Sequence, residues 1–136
     1  HMGPRLEINQ ADSLALSTLP DCPPYLIHTI LTYRRLLGGF VSLSQLKEIS
    51  TLHEAAFQKL LPNIRLEQLP PRCINLNQAG YYELNAHPYL KGALTEAICA
   101  YRKTHHYHLD SIAQLREIPL INEEIFRKIA PYICTQ

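Results

Sequence analysis

The chain predicts an all-α protein built as two tandem units, each a compact bundle of short helices. The first observation behind this is a duplication. Asn9-Gln10-Ala11, Leu16, Pro20, Leu26, Ile30 and Tyr33-Arg34 recur as Asn77-Gln78-Ala79, Leu84, Pro88, Leu94, Ile98 and Tyr101-Arg102. After one inserted residue the match resumes, and Gln45-Leu46, Glu48-Ile49, Phe57, Lys59, Pro62 and Ile64 return as Gln114-Leu115, Glu117-Ile118, Phe126, Lys128, Pro131 and Ile133. A repeat of this length marks a supersecondary unit used twice. The second observation is helical apolar spacing, and the third is a pair of matching capping signals. Almost no stretch alternates in the way a strand requires.

In the first unit Asn9 is placed to cap a short helix running through Leu16 and ending near Leu19-Pro20. Leu26, Ile30, Tyr33 and Leu37 then line one face of a longer amphipathic helix that stops at Gly38-Gly39. Ser42 and Gln45 form a capping box ahead of Leu43, Leu46 and Ile49, and Ser111 with Gln114 repeats it ahead of Leu115 and Ile118. A further helix carries Ala56, Phe57, Leu60 and Leu61 to Pro62, mirrored by Ile125, Phe126, Ile129 and Pro131. Residues 1–5 read as an expression remnant or disordered lead, with His1-Met2-Gly3 the remnant itself. Residues 6–64 form the first unit, 65–73 a stiff linker around Pro70-Pro71, and 74–136 the second unit.

Hydrophobic residues make up 46% and charged residues 18% of the chain, a folded rather than a disordered composition. The formal net charge is only +1, so no global field draws the chain onto nucleic acid or an anionic membrane, and such binding needs a local patch. No apolar run has the length of a membrane span, so this segment is not expected to insert. Cys22, Cys73, Cys99 and Cys134 show no paired spacing, so they predict no zinc site and leave a disulfide open, with Cys99 read as a small core residue.

The order of Asn9, Ala11, Leu16, Leu19-Pro20, Tyr33-Arg34, Phe40, Ser42-Leu43, Leu46, Leu60, Pro62 and Ile64 closely resembles the helix-hairpin-helix repeat of ComEA-type competence proteins. The second unit is similar through Asn77, Ala79, Leu84, Pro88, Ile98, Tyr101-Arg102, Leu115, Ile129 and Pro131-Tyr132-Ile133. The resemblance implies two helix-hairpin-helix units. It also implies sequence-independent binding of double-stranded DNA during DNA uptake, and an extracytoplasmic, periplasmic or envelope-associated place in a bacterium.

Family binding depends on a Gly-apolar-Gly hairpin whose backbone N–H groups, at a helix N-terminus, approach phosphate closely. This chain fills those glycine positions with Asp21 and Pro23, Thr51 and His53, Tyr89 and Lys91, and Leu120 and Asn122. No hairpin keeps either glycine. The first is the poorest candidate, because Pro23 and Pro24 lack donors and Asp21 repels phosphate. The third is the best, because it gains Lys91 and places Gly92 one step late.

The expected DNA-binding residues are therefore Lys91, Gly92, Arg102, Lys103, His105 and His106, a basic face on the second unit that strengthens as histidines protonate. Adjacent histidines on a helix point about 100° apart, so the His105 to His108 run is not expected to hold a metal. The nucleophile elbow, phosphate loop, zincin helix and dinucleotide fingerprint are all missing from the sequence. Enzymatic activity, a cofactor and a small-molecule substrate are accordingly not expected. The alternative expectation is a protein-interaction or scaffolding module that lost DNA binding with its hairpin glycines.

Overall fold

The computed structural model describes residues 4–70 and 72–136, so the remnant reading of residues 1–3, like the Pro71 half of the stiff joint, lies outside the described residues. The chain divides into two compact units, residues 1–71 and 72–136. The first runs β1 (Leu6–Glu7), α1 (Ser13–Leu16), α2 (Pro24–Leu37), a 3-10 turn (Leu43–Glu48), α3 (Glu54–Leu60), a second 3-10 turn (Leu61–Asn63) and β2 (Ile64–Arg65). The second repeats it as β3 (Ile74–Asn75), α4 (Tyr81–Ala86), α5 (Ala93–Thr104), 3-10 turns at Ile112–Glu117 and Ala130–Tyr132 around α6 (Glu123–Ile129), and β4 (Ile133–Cys134).

Each unit closes its ends with a two-residue parallel ladder, Leu6 to Ile64 in the first and Ile74 to Ile133 in the second. Among the described residues these short strands depart from an all-helical reading, and they carry too few residues to show alternation. They also revise the linker. Arg65 is paired in β2, the Glu67 and Gln68 N–H groups donate to Glu7, and the Arg5 carbonyl accepts from Arg65. Residues 65–70 therefore finish the first unit, and Arg5 belongs to it. Cys73 is bonded to Cys134 within the second unit, a disulfide that leaves Cys22 and Cys99 as the free thiols.

The repeated apolar residues are the cores. Leu16, Ile30, Leu46, Phe57, Leu60 and Ile64 are buried in the first unit, and Leu84, Ile98, Leu115, Phe126, Ile129 and Ile133 in the second. Each such side chain contributes about 1.5–3 kcal/mol by leaving water.

The repeated polar residues are clasps. Asn9 does not cap α1; Asp12 does, accepting from the Ala15 N–H at 2.8 Å. The Asn9 amide instead pairs with both backbone groups of Phe40, at 2.9 and 2.8 Å. Asn77 does the same to Leu109, at 2.9 and 2.8 Å. Both capping boxes form as expected, on 3-10 turns rather than α-helices. Gly38, at φ 91°, ends α2 as the sequence predicts.

Candidate nucleic-acid interface

Four hairpins carry the positions where phosphate recognition would reside, two in each unit. In the first hairpin Asp21 takes φ 56°, and its carboxylate lies 3.6 Å from Lys59 Nζ. Pro23 and Pro24 open α2, and the N-terminus has no side-chain cap. Proline at these positions removes donors, and the neighbouring carboxylate repels an anion.

The second and fourth hairpins are closed by one device used twice. Lys47 reaches Glu54 at 3.6 Å and lies over the Phe57 ring. In the second unit Arg116 takes those positions, gripping Glu123 at 3.0 and 3.1 Å and covering the Phe126 ring at 4.1 Å. The Arg116 guanidinium holds the Glu123 carboxyl below its usual range. Glu54 and Glu123 thus occupy the helix N-termini with negative charge of their own. Asn122 further caps α6 by accepting from the Ile125 N–H at 2.8 Å. Each hairpin thus sets a carboxylate where a phosphate would have to come.

The third hairpin is open. Its own turn is internally satisfied: Lys91 N–H donates to the His87 carbonyl at 3.0 Å, and Gly92 N–H donates to Asn85 Oδ1 at 2.8 Å. Gly92 takes φ 79°, a conformation a glycine adopts freely, and α5 starts at Ala93 with no side-chain cap. Lys91, Gly92 and Ala93 are all exposed. Lys128 comes from α6 to stand over the Tyr89 ring at 4.3 Å. The one carboxylate in the first turn of α5, Glu96, accepts from the Tyr81 hydroxyl at 2.9 Å.

The remaining expected site residues separate. Arg102 is half-buried and spends Nη1 on the Leu76 and Ala79 carbonyls, at 2.7 and 2.6 Å. Arg34 makes the same pair of bonds to Ile8 and Ala11, so this repeated arginine is scaffold. Its neighbour is scaffold too, for Tyr101 donates to Glu117 at 2.6 Å as Tyr33 does to Glu48. Burial and the bond to Glu117 push the Tyr101 phenol up to about 12, so it remains a donor.

His105 stacks on Tyr101 at 4.0 Å and lies 4.0 Å from Glu117. His108 pairs with Asp110 at 3.0 Å. Lys103 and His106 are exposed and carry no ion pair among the described residues. They sit at the C-terminal end of α5, whose 12 residues separate them from Lys91 and Gly92 by about 18 Å. The expected basic face is thus two exposed clusters at opposite ends of one helix. Lys128, absent from the sequence-level set, joins the N-terminal cluster. Its repeat partner Lys59 marked the position, but nothing local in the sequence brought it to the third hairpin.

Among the described residues no group of three or more His, Cys, Asp or Glu side chains is arranged to hold a metal ion. No helix among the described residues is long and apolar enough to cross a membrane.

Two units of paired helices joined by tight hairpins define the class. The helix-hairpin-helix motif model matches residues 3–65 and again 72–134, so the chain belongs to the helix-hairpin-helix family in two tandem copies. No curated protein and no solved structure matches the chain.

Proposed function

We propose that the protein is a non-catalytic module that binds double-stranded DNA without sequence preference, through the third hairpin. The carrying observation is the uncapped, exposed N-terminus of α5, flanked by Lys91 and Lys128, while the other three hairpins are closed by carboxylates, prolines or caps. Phosphate lies on the α5 N–H groups with the helix dipole behind it, and the two ammonium groups neutralise the flanking backbone. Such contacts hold the duplex and read no bases. Lys103 and His106 add a second, weaker electrostatic contact at the far end of the helix.

The same reading makes this an extracytoplasmic, DNA-retaining protein of ComEA type. The Cys73 to Cys134 disulfide supports that, since such bonds persist in oxidising compartments.

Titration of a labelled blunt duplex by fluorescence anisotropy tests the proposal. Affinity in the micromolar range or weaker is expected, falling steeply with salt. Lys91→Ala and Lys128→Ala each reduce the slope of log affinity against log salt by about 1. Absence of binding at low salt overturns the proposal.

A protein-docking role is favoured by one separate feature, the exposed Tyr81 and Tyr82 rings, edge to face at 5.6 Å at the start of α4. It predicts no duplex binding at low salt, so the same titration separates the two readings.

A further inference from the structure

After the first helix pair each unit turns a corner, and the two corners solve one geometric problem with different residues. Four and five residues beyond Arg34 the chain passes through Gly38 at φ 91° and Gly39 at φ 123°. At the same distances beyond Arg102 it passes through His106 at φ 56° and Tyr107 at φ 61°. The turn is shared, for Gly39 N–H donates to the Arg34 carbonyl at 3.0 Å and Tyr107 N–H to the Arg102 carbonyl at 2.8 Å. The one inserted residue of the repeat also falls here, because the asparagine clasp moves from Phe40 to Leu109.

Left-handed backbone is disfavoured for any residue with a Cβ and is an outlier for one as bulky as tyrosine. The turn requires left-handed backbone in both units, but it does not require these side chains, since the first unit makes it with glycines. Strain that glycine at the same positions would relieve points to the side chains it presents. Tyr107 is 61% exposed and makes no ring contact among the described residues. Lys103 and His106 flank it, both exposed and without an ion pair. His105 and His108 are already engaged by Glu117 and Asp110.

We infer that this corner is a base-stacking contact: Tyr107 offers a ring face to an unpaired nucleobase, while Lys103 and His106 meet the adjoining phosphates. Every base has a stacking face, so the contact is indifferent to sequence. The inference rests on the DNA-binding reading above and extends it. With the phosphate grip about 18 Å away at the other end of α5, the two contacts span about five nucleotide steps of about 3.4 Å. That arrangement suits a junction between duplex and single strand, and it makes such a junction the preferred ligand over blunt duplex.

Anisotropy titrations of the full chain decide this, using a blunt duplex and the same duplex with an overhang of about five nucleotides at either the 3′ or the 5′ end. Wild-type protein is expected to bind one overhang about tenfold more tightly than the blunt duplex. Tyr107→Gly removes that gain while leaving blunt-duplex affinity unchanged, and it folds at least as well because glycine suits the turn. Tyr107→Phe keeps the gain. Equal wild-type affinity for blunt and overhanging DNA, or a gain that persists in Tyr107→Gly, overturns the inference. Failure to bind either DNA overturns the underlying reading as well, and is distinguished by the blunt-duplex arm.

Discussion

Lys59 and Lys128 hold the same position in the two units and meet opposite neighbours. Lys59 faces Asp21 at 3.6 Å, and Lys128 stands over the Tyr89 ring at 4.3 Å. Asp21 and Tyr89 are themselves equivalent residues of equivalent hairpins. One substitution therefore turns a neutralised lysine into a cation held over a π face. The cores, asparagine clasps, arginine bridges and capping boxes on either side are unchanged. The two copies keep the same scaffold and differ at its hairpins and corners, so differences between the units report on function more directly than similarities do.

The comparison is sharpest at the ends of the units. Arg65 and Cys134 are equivalent, as are Arg5 and Cys73. The first unit joins its ends through an Arg65 hydrogen bond to the Arg5 carbonyl, and the second through the Cys73 to Cys134 disulfide. The disulfide joins cysteines 61 positions apart, and its loss is expected to cost the second unit about 4 kcal/mol. Hydrogen exchange with and without reductant checks this. Protection should fall around Ile98 and Leu115 and hold around Ile30 and Leu46. Equal loss in both units would mean that they do not unfold independently.

The arginine bridges predict equality instead. Arg34→Ala and Arg102→Ala each strand two carbonyls, at Ile8 and Ala11 or at Leu76 and Ala79, with an expected cost of about 2–3 kcal/mol in either unit. Chemical denaturation of the two variants measures it. A markedly smaller cost for Arg102→Ala, accompanied by lost DNA affinity in a folded protein, would return that residue to the binding site.

The repeat made the cores legible in the sequence because burial by helical face leaves a spacing that survives duplication. The capping boxes were legible for a similar reason, being local, with Ser42 and Gln45, or Ser111 and Gln114, on one turn. The clasps were not. Asn9 reads as a cap because asparagine favours helix starts, whereas its partner Phe40 lies 31 residues away and donates and accepts through backbone alone. Arg102 reads as a surface cation for the same reason, its acceptors being carbonyls that carry no residue signature. The disulfide was hidden because only the β3 and β4 pairing, two residues long, brings Cys73 beside Cys134. Of the candidate site, the third hairpin was visible through Lys91 and Gly92, while Lys128 and the division of the basic face required three dimensions.

Acid should act on the first unit alone at one further point. Glu7 is buried and accepts from the Asn9, Glu67 and Gln68 N–H groups, whereas its counterpart Asn75 accepts from Asn77 with an uncharged amide. Burial raises the Glu7 carboxyl, but the three N–H donors and Arg65 together outweigh it and hold the group below its ordinary range. A lowered folded value stabilises above the unfolded value, and that stability is lost as pH falls through the folded value. The first unit is therefore expected to weaken below the ordinary carboxylate range, ahead of the second. Glu7→Gln is expected to cost about 1–2 kcal/mol at neutral pH and to flatten this difference. Unit-resolved hydrogen exchange across acid pH tests both, and identical acid profiles would discount Glu7.

The smallest expected effect is the most direct test of whether the second corner is strained for a purpose. A Cβ at Gly38 would meet no atom within 4 Å, so Gly38→Ala carries only the conformational cost of a φ of 91° and should destabilise by about 1 kcal/mol. Tyr107→Gly should run the other way and stabilise by about 1 kcal/mol, a little of the relief being returned as the greater chain entropy of unfolded glycine. His106→Gly should gain less, because histidine tolerates the left-handed region better than most residues. Thermal unfolding resolves shifts of this size. If Tyr107→Gly destabilises, the ring is packing and the corner is structural. If it stabilises while abolishing the preference for overhanging DNA, the chain gives up stability at Tyr107 to hold out a side chain that the fold does not need.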